Sequence, residues 1–149
     1  MKQKHYIAGL YYRLSQEDER HGESVSIDNQ RTMLKKYAEE HSFEIHDEYI
    51  DDGVSGTTFQ RPGVQRLLDD AKTGTINTII VKDLSRFGRN YIEVGQYVDY
   101  VFPAFGIRFI AIQDNVWYFP SLAFVFNTVC EKSPLRLCKE RYRKENTNN

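Results

Sequence analysis

The sequence is poor in the features that mark cross-linked, metal-bound or membrane proteins. It has only two cysteines, Cys130 and Cys138, with no histidine or cysteine partners at ligand spacing, so neither a disulfide framework nor a zinc site is expected. No apolar run approaches membrane-spanning length. Met1–Lys4 is followed by a mixed segment and not by the apolar core of a signal peptide. We therefore expect a cytoplasmic protein that does not enter a membrane.

The chain also lacks an excess of either charge. Its 149 residues carry 20 Lys+Arg and 21 Asp+Glu, a net charge of −1. Strong non-specific affinity for DNA is therefore not expected, because that affinity grows with the number of phosphates a protein neutralises. A focused arginine site remains possible. The charged fraction of 28% and the hydrophobic fraction of 40% are typical of one globular domain.

Apolar periodicity predicts strands alternating with helices. Strands are predicted near residues 6–14, 43–50, 78–81 and 107–112, and helices near 26–41, 62–74 and 90–105. This order predicts an α/β fold, a mostly parallel sheet of four to five strands with helices on both faces. The helix at 90–105 is expected to bury one broad stripe made of Tyr91, Val94, Tyr97, Val98, Val101, Phe102 and Phe105.

Three polar stretches follow predicted strands and should meet at the carboxyl edge of this sheet, where such folds bind ligands. They are Arg13 to Ser15, the loop at 51–61, and the stretch that contains Arg86 and Arg89. Arg86 and Arg89 are three residues apart and would share a face of a helical turn. Because planar guanidinium groups suit phosphate, this edge is a candidate phosphate site. The simpler alternative is a solvated basic loop.

The hydroxyl of Ser15 could attack a bound phosphate. Ser15 alternates with Arg13 on an extended segment, so both side chains would point to the same side, and neighbouring arginines would stabilise the charge of the transition state. No Ser-His-Asp pattern, metal site or glycine-rich nucleotide loop is evident, and the pairs Asp51–Asp52 and Asp69–Asp70 are expected to be solvated charges. There are two alternatives. Ser15 could be an ordinary serine at the end of a strand, and the domain could bind small phosphorylated ligands.

Four motifs in order resemble the catalytic domain of the serine recombinases, the resolvase/invertase family. They are YYRLS at 11–15, SIDNQ at 26–30, DDGVSGTTFQRPG at 51–63 and VKDLSRFGR at 81–89. The likeness covers residues 5–116 and is strongest to the large serine recombinases of transposons. A single motif of this kind would be weak evidence, but the ordered set is specific.

The resemblance implies a DNA recombinase or invertase of a mobile element that works without metal, ATP or another cofactor. Ser15 would attack a DNA phosphodiester and form a 5′-phosphoserine intermediate. Arg13, Arg86 and Arg89 would bind the scissile phosphate, and Arg61 would approach it from the glycine-rich loop. The remaining candidates are Gln30, which would position Ser15, and two further phosphate or DNA contacts, Lys82 and Ser85, the latter standing where many small resolvases have an aspartate.

Residues 117–149 show no counterpart of the long helix that carries dimer and tetramer contacts in this family. We therefore divide the chain into a catalytic domain at 1–116 and a divergent tail at 117–149, as a frameshifted or truncated gene would produce. On this reading, the homodimer or tetramer of the intact family is not expected of this chain alone. The alternative function is a non-catalytic remnant that binds DNA or regulates a full-length recombinase.

Overall fold

The strands form one five-stranded sheet in the order β2-β1-β3-β4-β5. A computed structural model describes residues 5–14, 27–53 and 58–118 of the chain. The strands are β1 (Ile7–Leu14), β2 (Glu44–Asp52), β3 (Thr78–Val81), β4 (Arg108–Ala111) and β5 (Val116–Tyr118). Strands β2, β1, β3 and β4 are parallel, and β5 pairs antiparallel with β4. The predicted fold class is confirmed, although periodicity did not locate β5.

The helices connect the parallel strands. They are α1 (Ile27–Glu40), α2 (Pro62–Lys72), the short α3 (Leu84–Phe87), α4 (Tyr91–Gln96) and α5 (Phe102–Ala104), with a π-helical turn over Tyr97–Val101 between the last two. In this turn the N–H of Phe102 donates to the carbonyl of Tyr97, five residues back. Pro103 follows at once, and a proline has no N–H and crowds the carbonyl four residues before it. A wider preceding turn relieves that clash.

Helices cover both faces of the sheet. Since alternate residues of β1 point to opposite faces, this strand contributes side chains to two cores. Leu10 and Tyr12 belong to the core beneath α1, with Leu34 and Ala38. Tyr11 belongs to the larger core on the other face, whose members include Leu67 of α2, Val94, Phe87, Phe102 and Phe109. Burial on both faces explains why β1 and β3 read as nearly continuous apolar runs.

The stripe predicted for residues 90–105 is only partly buried. Val94, Val98 and Phe102 are in the core, but Tyr91 is 49% and Phe105 is 53% exposed. Tyr91 is the first residue of α4, and Phe105 lies beyond the end of α5. The π-helical turn also changes the angular spacing along the segment, so a uniform helical period does not bring all seven side chains to one face.

The parallel register brings the carboxyl ends of the central strands to one edge. Arg13 of β1 lies opposite Asp51 of β2, and Tyr11 of β1 lies opposite Val81, the last residue of β3. Lys82 therefore enters the same edge directly after β3. Over the described parts of the chain, none of the helices is both long and apolar enough to cross a bilayer.

Candidate active site

The side chains of Arg13 and Arg86 each donate a hydrogen bond to the main-chain carbonyl of the other residue. The Nε of Arg13 donates to the carbonyl of Arg86 (3.2 Å), and Nη1 of Arg86 donates to the carbonyl of Arg13 (3.3 Å). Both residues are buried, at 0% and 2% exposure. The two side chains thus tie the end of β1 to α3, the short helix that follows β3.

Gln30 secures the end of β1 from the side of α1. It is buried, its Oε1 accepts from the main-chain N–H of Arg13 (3.4 Å), and its Nε2 donates to the carbonyl of Arg13 (3.0 Å). This pair of bonds imitates the way a neighbouring strand would bind. Gln30 therefore fixes the main chain two residues before Ser15.

Acidic side chains cap the amino end of α3. Asp83 Oδ1 accepts from the N–H of Arg86 (2.9 Å) and from the hydroxyl of Ser85 (2.5 Å). Asp114 Oδ2 accepts from the N–H of Leu84 (2.6 Å). These bonds satisfy N–H groups that have no partner within so short a helix. The hydroxyl of Ser85 is thus already engaged at the helix start.

Guanidinium groups bind the carboxyl end of α3. The carbonyl of Ser85 accepts from Nη2 of Arg13 (2.9 Å), that of Arg86 accepts from Arg13 Nε (3.2 Å), and that of Phe87 accepts from Nη2 of Arg61 (2.5 Å). Cations suit this end of a helix, where carbonyl groups lack partners inside the helix. Three successive carbonyls are therefore held by two arginines.

Arg61 is buried and is held by acceptors on three segments of the chain. It is 0% exposed, its Nη1 donates to the hydroxyl of Tyr11, and its Nε donates to the carbonyl of Thr58 (2.8 Å). Its guanidinium also lies over the rings of Tyr11 (5.6 Å) and Phe59 (5.4 Å). The expected direct approach of Arg61 to a phosphate is thus not the arrangement in this structure.

Asp51 is buried, although the sequence predicted a solvated charge. It is 4% exposed, and its carboxylate accepts from the N–H groups of Gly63 (2.8 Å) and Val64 (3.0 Å) at the start of α2. No side chain at the preceding residue, Arg61, caps this helix. A carboxylate from the neighbouring strand therefore supplies the cap and meets the positive end of the helix dipole.

Tyr11 links Asp51 to Arg61. Its hydroxyl donates to Asp51 Oδ2 (2.9 Å) and accepts from Arg61. Burial raises the pKa of Tyr11, and the nearby Asp51 adds to this effect while Arg61 opposes it. The hydroxyl is consequently a neutral hydrogen-bonding link in a buried chain that runs from α2 through β1 to α3.

Arg86 and Arg89 do not share a helix face. Helix α3 ends at Phe87, and Gly88 is extended (φ −173, ψ 150), so Arg89 lies beyond the helix and is partly exposed. A Cβ at Gly88 would lie 2.9 Å from Phe59 Cζ and from Val94 Cγ2. Glycine allows this close packing. The predicted meeting of the two arginines on one helical turn is therefore wrong in its geometry.

Lys82 is buried at the end of β3, with its Nζ 3.8 Å from Asp83 Oδ2. Ser15, the predicted nucleophile, lies outside the described residues, as do the glycine-loop positions 54–57. Within the described ranges, no group of three or more His, Cys, Asp or Glu side chains is arranged to hold a metal ion.

Sequence reasoning missed Tyr11, Asp51, Asp83 and Asp114 as parts of this site. Asp83 carried a usable signal, because an aspartate directly before a short helix is a common cap. Asp51 and Tyr11 carried a weaker one, since their role depends on contacts between residues 40 and 50 positions apart. Asp114 is 30 positions from its partner.

Comparisons with known proteins agree with this fold. The family model described as the resolvase N-terminal domain matches residues 8–129, a range that includes the first part of the predicted tail. Comparison with curated protein sequences gave no match. The chain is similar to the solved N-terminal catalytic domain of TP901-1 integrase, with 26% identity, a TM-score of 0.70, and coverage of 96% of this chain and 99% of that one.

Two further solved structures are similar in fold. One is a resolvase family site-specific recombinase from Streptococcus pneumoniae, with 22% identity, a TM-score of 0.63, and coverage of 97% and 99% of the two chains. The other is the C-terminal catalytic domain of ISC1926 TnpA, an IS607-like serine recombinase, with 21% identity, a TM-score of 0.59, and coverage of 71% and 69%. Because the family model spans most of its length, the chain belongs to the resolvase family of serine recombinases, as its four motifs predicted.

Proposed function

We propose that this chain is the catalytic domain of a site-specific DNA recombinase, and that Ser15 is its nucleophile. The observation that carries the proposal is the mutual bracing of Arg13 and Arg86. It fixes two cations at the carboxyl edge of the sheet, and one of them, Arg13, is two residues before Ser15. An oxyanion that develops at this edge would meet guanidinium groups already held in place, which is the main way proteins stabilise phosphoryl transition states.

The reaction proposed is a transesterification. The Ser15 oxygen forms a bond to phosphorus while the bond from phosphorus to the 3′ oxygen breaks, leaving a 5′-phosphoserine and a free 3′ end. The serine loses a proton and the leaving oxygen gains one. Rejoining reverses these steps when a 3′-hydroxyl attacks the phosphoserine. Each step replaces one phosphate ester with another, so the reaction needs no energy from nucleotide hydrolysis.

Residue roles follow from position. Arg86 and Arg89 are proposed to bind the non-bridging phosphate oxygens, with Arg13 beside them and Gln30 fixing the main chain that leads to Ser15. Lys82 and Ser85, which lie at the same edge, are proposed to contact the DNA backbone once it is bound. The substrate is double-stranded DNA, and the partners are recombinase copies of the same family, because exchange requires two duplexes to be cut.

The division into a catalytic domain at 1–116 and a tail at 117–149 remains a proposal from the motifs. The family match runs on to residue 129, so the segment at 117–129 deserves separate testing. A limited proteolysis series that reports where the stable core ends would decide the boundary. Nothing within the described residues favours the alternative of a non-catalytic regulator.

The test is capture of a covalent adduct on a nicked duplex that cannot be religated. The unaltered chain should form an adduct that survives denaturing electrophoresis, and Ser15→Ala should abolish it. Ser85→Ala is the comparison variant, because Ser85 offers the other hydroxyl beside the arginines; as a proposed DNA contact, its loss should slow adduct formation without abolishing it. An adduct that is lost with Ser85→Ala but retained with Ser15→Ala would overturn the assignment of the nucleophile.

A further inference from the structure

Each of the three guanidinium nitrogens of Arg61 donates to a protein acceptor. Nε donates to Thr58, Nη1 to Tyr11 and Nη2 to Phe87, three acceptors on three separate segments. Turning this side chain toward the open edge would leave the buried carbonyl of Phe87 and the buried hydroxyl of Tyr11 without it. Leaving buried polar groups unmatched is costly. The guanidinium of Arg61 is therefore a brace between β1, α3 and the loop before α2.

This brace is fixed at its far end. Tyr11 donates to Asp51 (2.9 Å), and the Asp51 carboxylate holds the first N–H groups of α2. A Cβ at Gly63 would lie 2.8 Å from Asp51 Oδ2, so only glycine there leaves room for the carboxylate. The chain of bonds from α2 to the end of α3 is thus continuous and buried.

We propose that Arg61, with Tyr11 and Asp51, is a positioning residue for the phosphate site and does not contact the phosphate. By holding the Phe87 carbonyl, it fixes the chain from which Arg86 and Arg89 reach the DNA. This inference rests on the proposed function, and it assigns Arg61 a different role from the one implied by the family resemblance. Catalytic groups must be held within about 0.5 Å of their working geometry, so loss of such support lowers the rate without removing a substrate contact.

The first test uses hydrogen exchange, without DNA, to measure whether the Tyr11–Arg61 contacts stabilise the end of α3. Tyr11→Phe removes one buried hydroxyl, and Tyr49→Phe is the matched control. Tyr49 is the direct neighbour of Tyr11 across β1 and β2, is equally buried, and likewise donates to an aspartate (Asp70, 2.6 Å). Hydrogen exchange of the Gly88 amide, which donates to Leu84 (3.0 Å), should accelerate by roughly tenfold or more in Tyr11→Phe relative to Tyr49→Phe.

The comparison is made at equal global stability, adjusted with denaturant. Acceleration confined to Tyr11→Phe supports the brace, because a general loss of stability would affect both variants. Equal exchange at Gly88 in the two variants would overturn it. This result does not depend on DNA cleavage, so the inference can fail while the proposed function stands.

The second test separates positioning from phosphate contact. A duplex with a methylphosphonate at the cleaved position has lost the charge of one non-bridging oxygen, so a residue that neutralises this charge matters less there. The rate deficit of Arg86→Ala should shrink by roughly tenfold on this duplex. The deficits of Arg61→Lys and Tyr11→Phe should be the same on both duplexes.

A deficit of Arg61→Lys that shrinks along with that of Arg86→Ala would show direct contact and overturn the proposal. Lysine keeps the charge but lacks the planar fork that reaches three acceptors, so Arg61→Lys should cleave more slowly than the unaltered chain. If the unaltered chain cuts neither duplex, the proposed function fails, and the exchange experiment alone decides whether Arg61 and Tyr11 brace α3.

Discussion

Arg13 and Arg86 each donate a hydrogen bond to the main-chain carbonyl of the other, across 73 positions of sequence. The contact joins the end of β1 to α3 and so couples the segment before Ser15 to the segment before Arg89. Two buried cations placed side by side repel each other, and the carbonyl groups compensate with oriented dipoles. In the proposed reaction, the phosphate of the substrate would offset this repulsion.

Arg13→Lys should lower the rate of adduct formation by about 10²–10³-fold, the usual loss when one preorganised donor is removed. The ammonium group of a lysine is a single point and cannot replace the fork that binds the carbonyls of Ser85 and Arg86. Single-turnover cleavage kinetics give the rate, and Lys72→Arg, an exposed exchange at the end of α2, is the control. A rate within twofold of the unaltered chain would contradict the role of Arg13.

Gln30→Ala should destabilise the fold by about 1–3 kcal/mol, because it removes the acceptor of the buried Arg13 N–H and one of the two donors to the Arg13 carbonyl. The end of β1 should loosen, and cleavage should slow further than the loss of stability explains. Urea unfolding and cleavage rates measure the two effects. Thr32→Ala removes an exposed hydroxyl of the same helix and should change neither. Equal behaviour of the two variants would remove Gln30 from the site.

Gly63→Ala should destabilise the protein by about 1–3 kcal/mol, the usual cost of overpacking. The new methyl group would lie 2.8 Å from the Asp51 carboxylate and from the Ile50 carbonyl. The sign of the change in the free energy of unfolding is informative. At an open helical position, alanine stabilises a helix by about 1 kcal/mol relative to glycine, the opposite of the change expected here. Thermal or urea unfolding reports the change. A rise in stability would show that the approach of Asp51 to α2 is not as tight as described.

Glu48→Gln should cost stability at neutral pH and little at acidic pH. Burial alone would raise the pKa of Glu48, but the hydrogen bonds and charges of Lys35 and Arg31 lower it overall. Since the folded pKa lies below the unfolded one, the carboxylate stabilises the fold above its ordinary pKa. That contribution disappears as the pH falls through the lowered value.

Unfolding of Glu48→Gln and of the unaltered chain should therefore differ in stability at pH 7, and the difference should be smaller at pH 3. Salt should weaken the difference, because the ion pairs are partly exposed. A difference that grows on acidification would reverse the sign and contradict this account of Glu48.

The sequence predicted most of the fold because its signals are local. The helix at 62–74, with a proline at its start, became Pro62–Lys72, and the strand at 78–81 became Thr78–Val81. The π-helical turn escaped prediction, since the strain that Pro103 places on the preceding turn can be relieved in several ways. Strand β5 escaped too, because it has only three residues and depends on β4 as its partner.

The location of the site could be predicted from the sequence, but the hydrogen-bond partners of its side chains could not. Parallel strands bring their carboxyl ends together whatever the side chains, so the convergence of Arg13 and Arg86 followed from the order of elements. Which acceptors each guanidinium binds is decided by contacts between residues far apart in sequence. Arg61 and Arg13 are both conspicuous in the motifs, yet only the folded chain shows that Arg61 is held by Tyr11 and Phe87.

The most direct test of the central claim is to locate the phosphorus in the trapped complex. The adduct on a nicked duplex would be digested with nuclease and protease, and the modified peptide would be sequenced by mass spectrometry. We expect a nucleotide joined through its 5′ phosphate to Ser15. A phosphate on any other residue, or a cut duplex with two free ends and no attached peptide, would contradict it.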